Sequence, residues 1–525
     1  MRHDLADGAF APDELFDVCI VGAGAAGTVL ALELSRAGRR VILMESGGPT
    51  LEEPSQKLYD TDVIGQPHTG VHKGRFRAWG GTTIRWGGQI LELEPIDFAH
   101  RDWVAHSGWP ITKDDLFPFY ATAFEFEGLI ASLHHDEEVW RAVGEELPDL
   151  GSELEPYFTR WCPQPNFARL HGAEMAASSR VSSVVHANLM DVVLEDDGVH
   201  VRKAVFRSLN GNQATVRARE FVLAIGAIET SRLLLHLQES HDERWNPNGL
   251  VGTGFQDHVD CDVVNVRPLD RERFLGSFTN VLLGGYKYHP KFRLSSLAQS
   301  EYRVLNVAGT FAFRDSSDEI AGAIKSTGRR LLRGAWGEMD GAQVVHLLAN
   351  FPMLLRQAWS YKVNHRVYNS PDAALSLRVH CEQEPDGASR VTLADERDAL
   401  GMRRARLDWR ISLTELDTIR TFLDVAGRNL KEQKIAELVP TIDLRDDAAL
   451  RERCDDGLHH IGGTRMSAIP TDGVVDVDLR LHGIPNLSLC SASVFPTGGY
   501  SNPTHTVLAL AVRLARRLAR QTAAV

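Results

Sequence analysis

Residues 16 to 48 constrain the fold more than any other stretch, because their order of residue types admits few structures. The run FDVCIVGAGAAGTVLALELSRAGRRVILMESGG reads as an apolar strand to Val21, a glycine loop, an apolar-periodic helix, a second apolar strand and an acid. Gly22 permits a tight turn, Gly24 lets a pyrophosphate approach the backbone, and Gly27 lets helix and strand pack closely. With Ala25 and Ala26 opening the helix, its N-terminus faces the phosphates. Glu45, with Ser46 beside it, ends the second strand, where a carboxylate accepts hydrogen bonds from an adenosine ribose and disfavours a 2′-phosphate. A glycine loop alone also occurs in structural βαβ units, but the complete context favours a dinucleotide site. It does not separate NAD from FAD.

A chain of 525 residues exceeds one hydrophobic core, so two or three units are expected. The net charge of −13 argues against a nucleic-acid partner. The six cysteines lie far apart with no CxxC pair, so neither a zinc site nor a disulfide framework is indicated, and no metal is expected. The first fifteen residues lack the apolar core of a secretory signal, which makes a cytoplasmic location the expectation. The longest stretch that could suggest a span, Val344 to Leu355, contains His346, Asn350 and Pro352 and is too short to cross a bilayer, so no integral membrane span is expected.

After the opening unit comes RFRAWGGTTIRWGGQ, Arg75 to Gln89. Trp79, Gly80, Gly81 and Thr82, then Trp86, Gly87 and Gly88, form a loop whose backbone has to run close to a flat ligand, where Cβ atoms would collide. Thr112 is a helix cap followed by Asp114 and Asp115 in the first turn. From Ser182 the pattern turns β-rich, with turns at Asp196 to Gly198 and Asn210 to Asn212. Phe221 to Ile225, containing Ala224, is an apolar strand that runs into Gly226 and a helix, a second strand, glycine, helix passage of the same sheet. Between Asp260 and Trp409, alternating and β-branched runs, including SRVTL and ARLDWRI, imply a second sheet. Asp315 to Tyr368 interrupts it with helix-like sequence, read as a helical cap or an oligomer surface, with a lid as the sharper alternative. Thr414 to Ala436 is helical by period.

The C-terminal seventy residues carry GLHHIGGTRM, Gly457 to Met466, and an ending in which Asn502 caps a helix, Pro503 takes its first position and Thr504 follows. Val507, Leu508, Leu510, Leu514 and Leu518 supply the buried stripe. Taken singly, Asn502 reads as a cap and His460 as a core histidine.

Taken together, the glycine loop, GGTTIRWGG, FVLAIGAIETSRLL, HIGGTRM and NLSLCSASVFPTGGYSNPTHTVLALA resemble the glucose-methanol-choline (GMC) family of FAD-dependent oxidoreductases. Within it the layout is most similar to bacterial pyranose oxidases, glucose dehydrogenases and related glycoside-oxidising enzymes. The resemblance implies an α/β FAD-binding Rossmann-like domain built from 12–100, 180–259 and 455–522, and an α+β substrate domain with a mostly antiparallel sheet from 101–179 and 260–454, the latter carrying a helical insertion at 315–368. It implies that an alcohol gives its proton to His460, the HxxGT histidine, rather than to His459 or His505, while hydride goes to flavin N5. Asn502 would restrain the developing alkoxide. Arg85 stands where pyranose oxidases carry a flavin-linking histidine, so the FAD is expected to be non-covalent. Many members have Asp in the segment that here reads Ser491, Ala492, Ser493, and both serines are candidate flavin contacts.

The expected partner is a small polyhydroxylated alcohol, a sugar, glycoside or aminoglycoside, with Gln383 of the EQEP turn and His505 as candidate substrate contacts. Oxygen or another acceptor takes the electrons. The alternatives are a simple or aromatic alcohol as substrate, or a non-redox flavoprotein such as a lyase or a binding scaffold.

Overall fold

The computed structural model describes residues 2–521 except 9, 11, 13, 131, 133–134, 315–355, 357–358 and 371. The greater part of the insertion expected over 315–368 lies outside the described residues. Among those residues the chain forms three sheets.

The first sheet is built around strand Leu15–Val21. It runs parallel between Val41–Met44, in the register Val18 with Val41 to Val21 with Met44, and Gln213–Leu223, with Val21 opposite Leu223. Val181–Val185 and then Arg2–Asp4 extend one side. Leu487–Leu489 pairs with the far end of Gln213–Leu223. The near end of that long strand turns into an antiparallel ribbon with Val201–Arg207 and Asn188–Leu194. Val18, Cys19, Ile20 and all four residues of Val41–Met44 are wholly buried, as expected of parallel strands covered on both faces. Helix Ala25–Arg36 and the C-terminal helix Thr504–Gln521 pack on each other at this core, and helix Lys113–Phe126 packs on the latter. The last begins where the capping pattern places it, Thr112 accepting from Asp115 while Asp115 reaches back to the Thr112 N–H. Strand Arg2–Asp4 has no apolar signature and was not legible upstream.

The second sheet is antiparallel through Leu154–Trp161, Tyr286–Leu294, Val307–Arg314, Ala374–Cys381 and Val259–Pro268, with Ala436–Pro440 and Gln89–Ile90 at its ends. Its strands alternate. In Tyr286–Leu294 the residues Tyr288, Pro290, Phe292 and Leu294 are buried, whereas Lys287, His289, Lys291 and Arg293 are only partly so. Phe292, Phe311 and Leu377 share a core with Leu416, Ile419 and Phe422 of helix Leu413–Glu432, which Ser412 and Glu415 cap reciprocally. The opposite face is polar.

SRVTL and ARLDWRI do not join this sheet, which corrects the sequence reading. Arg390–Arg397 and Arg403–Trp409 form a hairpin, and the latter pairs in parallel with Thr61–Gly65 in a separate three-stranded sheet. Their partner TDVIG lies in a polar, turn-rich stretch whose strand signal is too short to stand out.

The seam between the two large sheets is narrow and well tied. Cys454–Asp456 pairs with Val259–Cys261, and Gln256 bridges Ile461 through two backbone hydrogen bonds of 2.9 Å. The stretch from His459 to Ile461 is therefore held against residues 256 to 258, and the chain turns at Gly462 and Gly463, whose φ values are +75° and +94°.

Candidate active site

A long cavity runs from the first glycine loop to this seam, lined at one end by Gly22, Gly24, Glu45 and Asn188 and at the other by His459, His460, Ala492 and Thr504. The three glycines of the loop act for three different reasons. Gly22 has φ +101°, and a Cβ there would lie 2.5 Å from the Ala224 carbonyl oxygen. A Cβ on Gly27 would lie 1.8 Å from the Gly22 oxygen, so its absence is what lets helix and strand touch. A Cβ on Gly24 would meet nothing nearer than the Gly81 Cα at 4.0 Å, so this glycine keeps open the space ahead of the first helix turn. That unfilled cradle, the helix N-terminus behind it and Glu45 beyond it fit FAD. Glu45 takes N–H groups from Ala23 and Gly47, both at 2.8 Å. Burial nevertheless pushes its carboxyl up from the ordinary value.

Ala25, Ala26, Ser46, Gly81, Thr82 and Trp86 also line the cavity, as do Ala224, Gly226, Ser491 and Pro503. Other residues expected here lie elsewhere. Trp79 faces a neighbouring cleft with Arg2 and Arg85. Gly80, at φ +97°, packs on Ala168 and Ile84, Gly87 on Trp161, and Gly88 on Pro165 and Cys162. The Ser493 hydroxyl is wholly buried between Thr464 and Ser491.

One wall was not foreseen. Arg77, Arg232 and Arg75 converge on Glu229 at 3.0, 3.1 and 3.3 Å, and Arg232 also meets Asp398. The Tyr59 ring lies 4.5 Å from the Arg75 guanidinium and 4.4 Å from that of Arg77. Burial works against the Glu229 charge, but the three guanidiniums hold its carboxyl below the ordinary value. Three cations against two acids leave this wall net positive beside a site for a diphosphate. Its sequence signal was the RFR directly before AWGG.

At the seam, extended backbone sends consecutive side chains to opposite sides. His459 turns toward Asn502, whose Nδ2 donates to its Nε2 at 2.9 Å. The other nitrogen of His459 lies 2.8 Å from His258 Nδ1. An imidazole that accepts at Nε2 carries its proton on Nδ1, so His459 donates to His258 and both of its nitrogens are engaged. His380 stands beside this pair, hydrogen-bonded to Asp260.

His460 turns the other way, to His68 at a ring distance of 5.4 Å and Phe255 at 6.0 Å. Its Nε2 is 3.9 Å from Asp257 Oδ2 and, among the described residues, has no hydrogen-bond partner. Burial, with His68, Arg75 and His459 nearby, holds His460 well below the ordinary imidazole range, so it is neutral near pH 7. The structure thus brings Asn502 to His459 and leaves His460, on the same cavity wall, unengaged.

Two clusters have metal-ligand composition, with donor atoms mutually within 4.8 Å: His258, His380 and His459, and His68, Asp257 and His460. In the first, His459 meets His258 and His380 meets Asp260; in the second, His68 Nε2 lies 3.1 Å and His460 Nε2 3.9 Å from Asp257 Oδ2.

Gln383 and His505, expected as substrate contacts, are both engaged by protein groups. Gln383 accepts from the Asp257 N–H at 2.7 Å and Trp409 Nε1 at 2.9 Å, and donates to the Arg410 carbonyl at 2.6 Å. It is a brace. His505 is wholly buried, bonded to Glu127 at 2.8 Å and packed on Phe124 and Tyr120, because its position on the C-terminal helix faces helix Lys113–Phe126. Asp257, His68, His258 and His380, which do surround the seam, carried no motif that would have singled them out.

Residues 385–511 match the GMC oxidoreductase family and residues 16–61 an FAD binding domain. Over nearly their whole lengths, the chain is similar to 2-methyl-1,2-propanediol dehydrogenase of Mycolicibacterium austroafricanum (24% identical, 96% of this chain and 95% of that protein). Paromamine 6'-oxidase of Streptomyces fradiae is similar to the same degree (24%, 97% and 92%). The fold is shared with the crystal structure of pyridoxine 4-oxidase from Mesorbium loti, with a TM-score of 0.59 at 18% identity, covering 96% of this chain and 99% of that one. No described helix is long and apolar enough to cross a membrane. With a cradle shaped for FAD at one end of the cavity and paired histidines at the other, the chain has the parts of an FAD-dependent oxidoreductase acting on CH–OH groups, similar over its C-terminal part to the GMC oxidoreductases and over its N-terminal part to an FAD binding domain.

Proposed function

We propose that this protein oxidises an alcohol group on a sugar, glycoside or aminoglycoside to the carbonyl, with His460 taking the hydroxyl proton. The observation that carries the assignment is that His460 lines the cavity with no hydrogen bond among the described residues, whereas both nitrogens of His459 are engaged. A neutral imidazole on the cavity wall is the group suited to accept a proton. FAD, when bound, supplies the hydride acceptor. Asn502, whose amide donates to His459, would hydrogen-bond the same oxygen as charge develops on it. Similarity to paromamine 6'-oxidase supports the glycoside reading.

Two further readings rest on specific observations. The 2.9 Å contact to Asn502 favours His459 as the base, and equal similarity to 2-methyl-1,2-propanediol dehydrogenase favours a small alcohol. The test is anaerobic photometry of the bound flavin against sugars, glycosides, aminoglycosides and small alcohols, followed by oxygen. Bleaching by a glycoside is expected; bleaching by small alcohols alone would move the substrate class. Reoxidation on admitting oxygen marks an oxidase, and its absence points to another acceptor. His460→Ala is expected to keep FAD and slow flavin reduction by about 10² to 10⁴-fold. A parent-like rate in that variant, with loss in His459→Ala, would transfer the role.

A further inference from the structure

A single carboxylate touches both halves of the histidine pair. Asp257 is wholly buried, and its Oδ1 accepts the backbone N–H groups of His258 at 2.7 Å and His459 at 2.8 Å. Its Oδ2 lies 3.1 Å from His68 Nε2 and 3.9 Å from His460 Nε2. The Nδ1 of His68 accepts the Val71 N–H at 3.1 Å, so its proton is on Nε2, the nitrogen near the carboxylate, though the pair lacks the alignment of a hydrogen bond. Two backbone N–H groups on Oδ1 and an imidazole N–H near Oδ2 favour the ionised form, while burial pushes Asp257 up from its ordinary value. Gln383 holds the Asp257 backbone from behind.

We infer that Asp257 is the positioning carboxylate of the base, fixing His460 with its proton on Nε2 and stabilising the imidazolium formed when the substrate proton arrives. This rests on the reading of His460 as base. With Nε2 turned to Asp257, Nδ1 is the nitrogen left for the substrate. The alcohol O–H bond breaks, the proton goes to Nδ1, and the Nε2–H of the imidazolium closes on Oδ2, which the 3.9 Å separation allows by a side-chain shift of about 1 Å. A carboxylate that orients a catalytic imidazole without itself taking the proton is an arrangement other folds also use. The charged and titratable groups facing His460 are Asp257, His68, His459 and Arg75, with Asp456 beyond His68. Asp257 and, more distantly, Asp456 are the only anions among them.

The test is Asp257→Asn, whose side-chain oxygen still accepts the two backbone N–H groups, so the loop is kept while the charge is lost. The holoenzyme is read by flavin absorbance, by anaerobic flavin reduction against pH with the best alcohol from the panel, and by NMR titration of ¹³C-histidine-labelled protein, the His460 signal being the one lost in His460→Gln. Expected are parent flavin content, a largely unchanged KM, slower reduction, and an acidic limb and His460 titration both moved down by about 1 to 3 pH units. A parent-like limb and titration in folded, yellow Asp257→Asn would overturn the inference. If that variant holds no flavin, His68→Gln is read instead. Removing the competing imidazole frees Oδ2 for His460, so limb and titration move up, and no movement overturns the inference. His460→Ala separates the two claims: a parent rate there refutes the base itself, whereas a slow His460→Ala with an unshifted Asp257→Asn refutes the positioning role alone.

Discussion

Substituting Gly24 by Val tests whether the cavity beside the first helix is the diphosphate cradle. The backbone at Gly24 has φ −74° and ψ −162°, open to any residue, and the position contacts only the Gly81 Cα at 4.0 Å. The polypeptide therefore barely notices a side chain there, and replacing a glycine at a helix N-cap costs at most about 1 kcal/mol. FAD does notice. Three carbon atoms in front of the first helix turn exclude the diphosphate from the N–H groups of that turn. Each charge-assisted hydrogen bond is worth about 1.5–3 kcal/mol, so losing two weakens binding by about 3–6 kcal/mol, or roughly 10² to 10⁴-fold in Kd. The assay is absorbance near the flavin band of purified protein, repeated after incubation with FAD and ultrafiltration, alongside urea unfolding of the apoprotein. Colourless protein with near-parent apoprotein stability is expected. Parent flavin content in Gly24→Val would refute the cradle. Collapse of the apoprotein would refute the claim that the space is empty of protein, since collapse belongs to Gly27→Ala, whose Cβ would lie 1.8 Å from a backbone oxygen.

Further outcomes follow from buried charge. Arg101 and Glu382 form a bidentate pair at 2.7 and 2.7 Å with side chains 1% and 0% exposed, so Arg101→Ala strands a buried carboxylate and is expected to cost about 3–5 kcal/mol in urea unfolding; a change below 1 kcal/mol would refute the pairing. Asp97, beside Glu382, is pushed up from 3.8 to about 7 by burial and then by that acid. Between those two values the folded state holds a proton that the unfolded state has lost, so this group's contribution to stability falls as pH rises from about 4 to 7. Asp97→Asn should remove that part of the Tm slope, and an unchanged slope counts against it. Because His460 is held below 6.5, the acidic limb of flavin reduction should lie below that value; a limb above it would assign the proton to another group.

What the sequence shows and what it hides follow from how local each cause is. The Phe16 to Gly48 unit was legible because turn, helix and strand signals follow one another without a break along the chain, and Gly22 and Gly27 are fixed by contacts inside that unit or with Ala224. Thr112 as a cap was legible for the same reason. Membership of the second sheet was not, for the hairpin of Arg390–Arg397 and Arg403–Trp409 adds Thr61–Gly65, more than three hundred residues away, instead of joining the second sheet. Gln383 and His505 show the limit in the site itself. Each is a polar residue near a motif, and only the packing reveals that Trp409 and Glu127 already use them. Asp257 is the reverse case, an acid in the unmarked stretch GFQDHVD whose meaning depends on residues from both ends of the chain.

The tandem His459 and His460 explains why spacing and proximity name different residues. HxxGT counts along the chain and selects His460, whereas distance to Asn502 selects His459. Both follow from one fact: the segment is extended, pinned by the bridge between Gln256 and Ile461, so adjacent side chains must diverge. A helix there would have set the two imidazoles about 100° apart rather than on opposite sides. In the extended form one histidine joins Asn502 to His258 and the polar sheet, and the other faces Asp257 with its hydrogen-bonding capacity unspent. Division of labour between neighbours is thus set by backbone geometry. A base needs a free nitrogen and a neutral state, and of the two only His460 has both. The same logic makes the double substitution His459→Ala with His460→Ala informative. If the two histidines hold and act on the same oxygen, its loss of rate should fall well short of the product of the single losses; simple multiplication would mean that they work on unrelated steps.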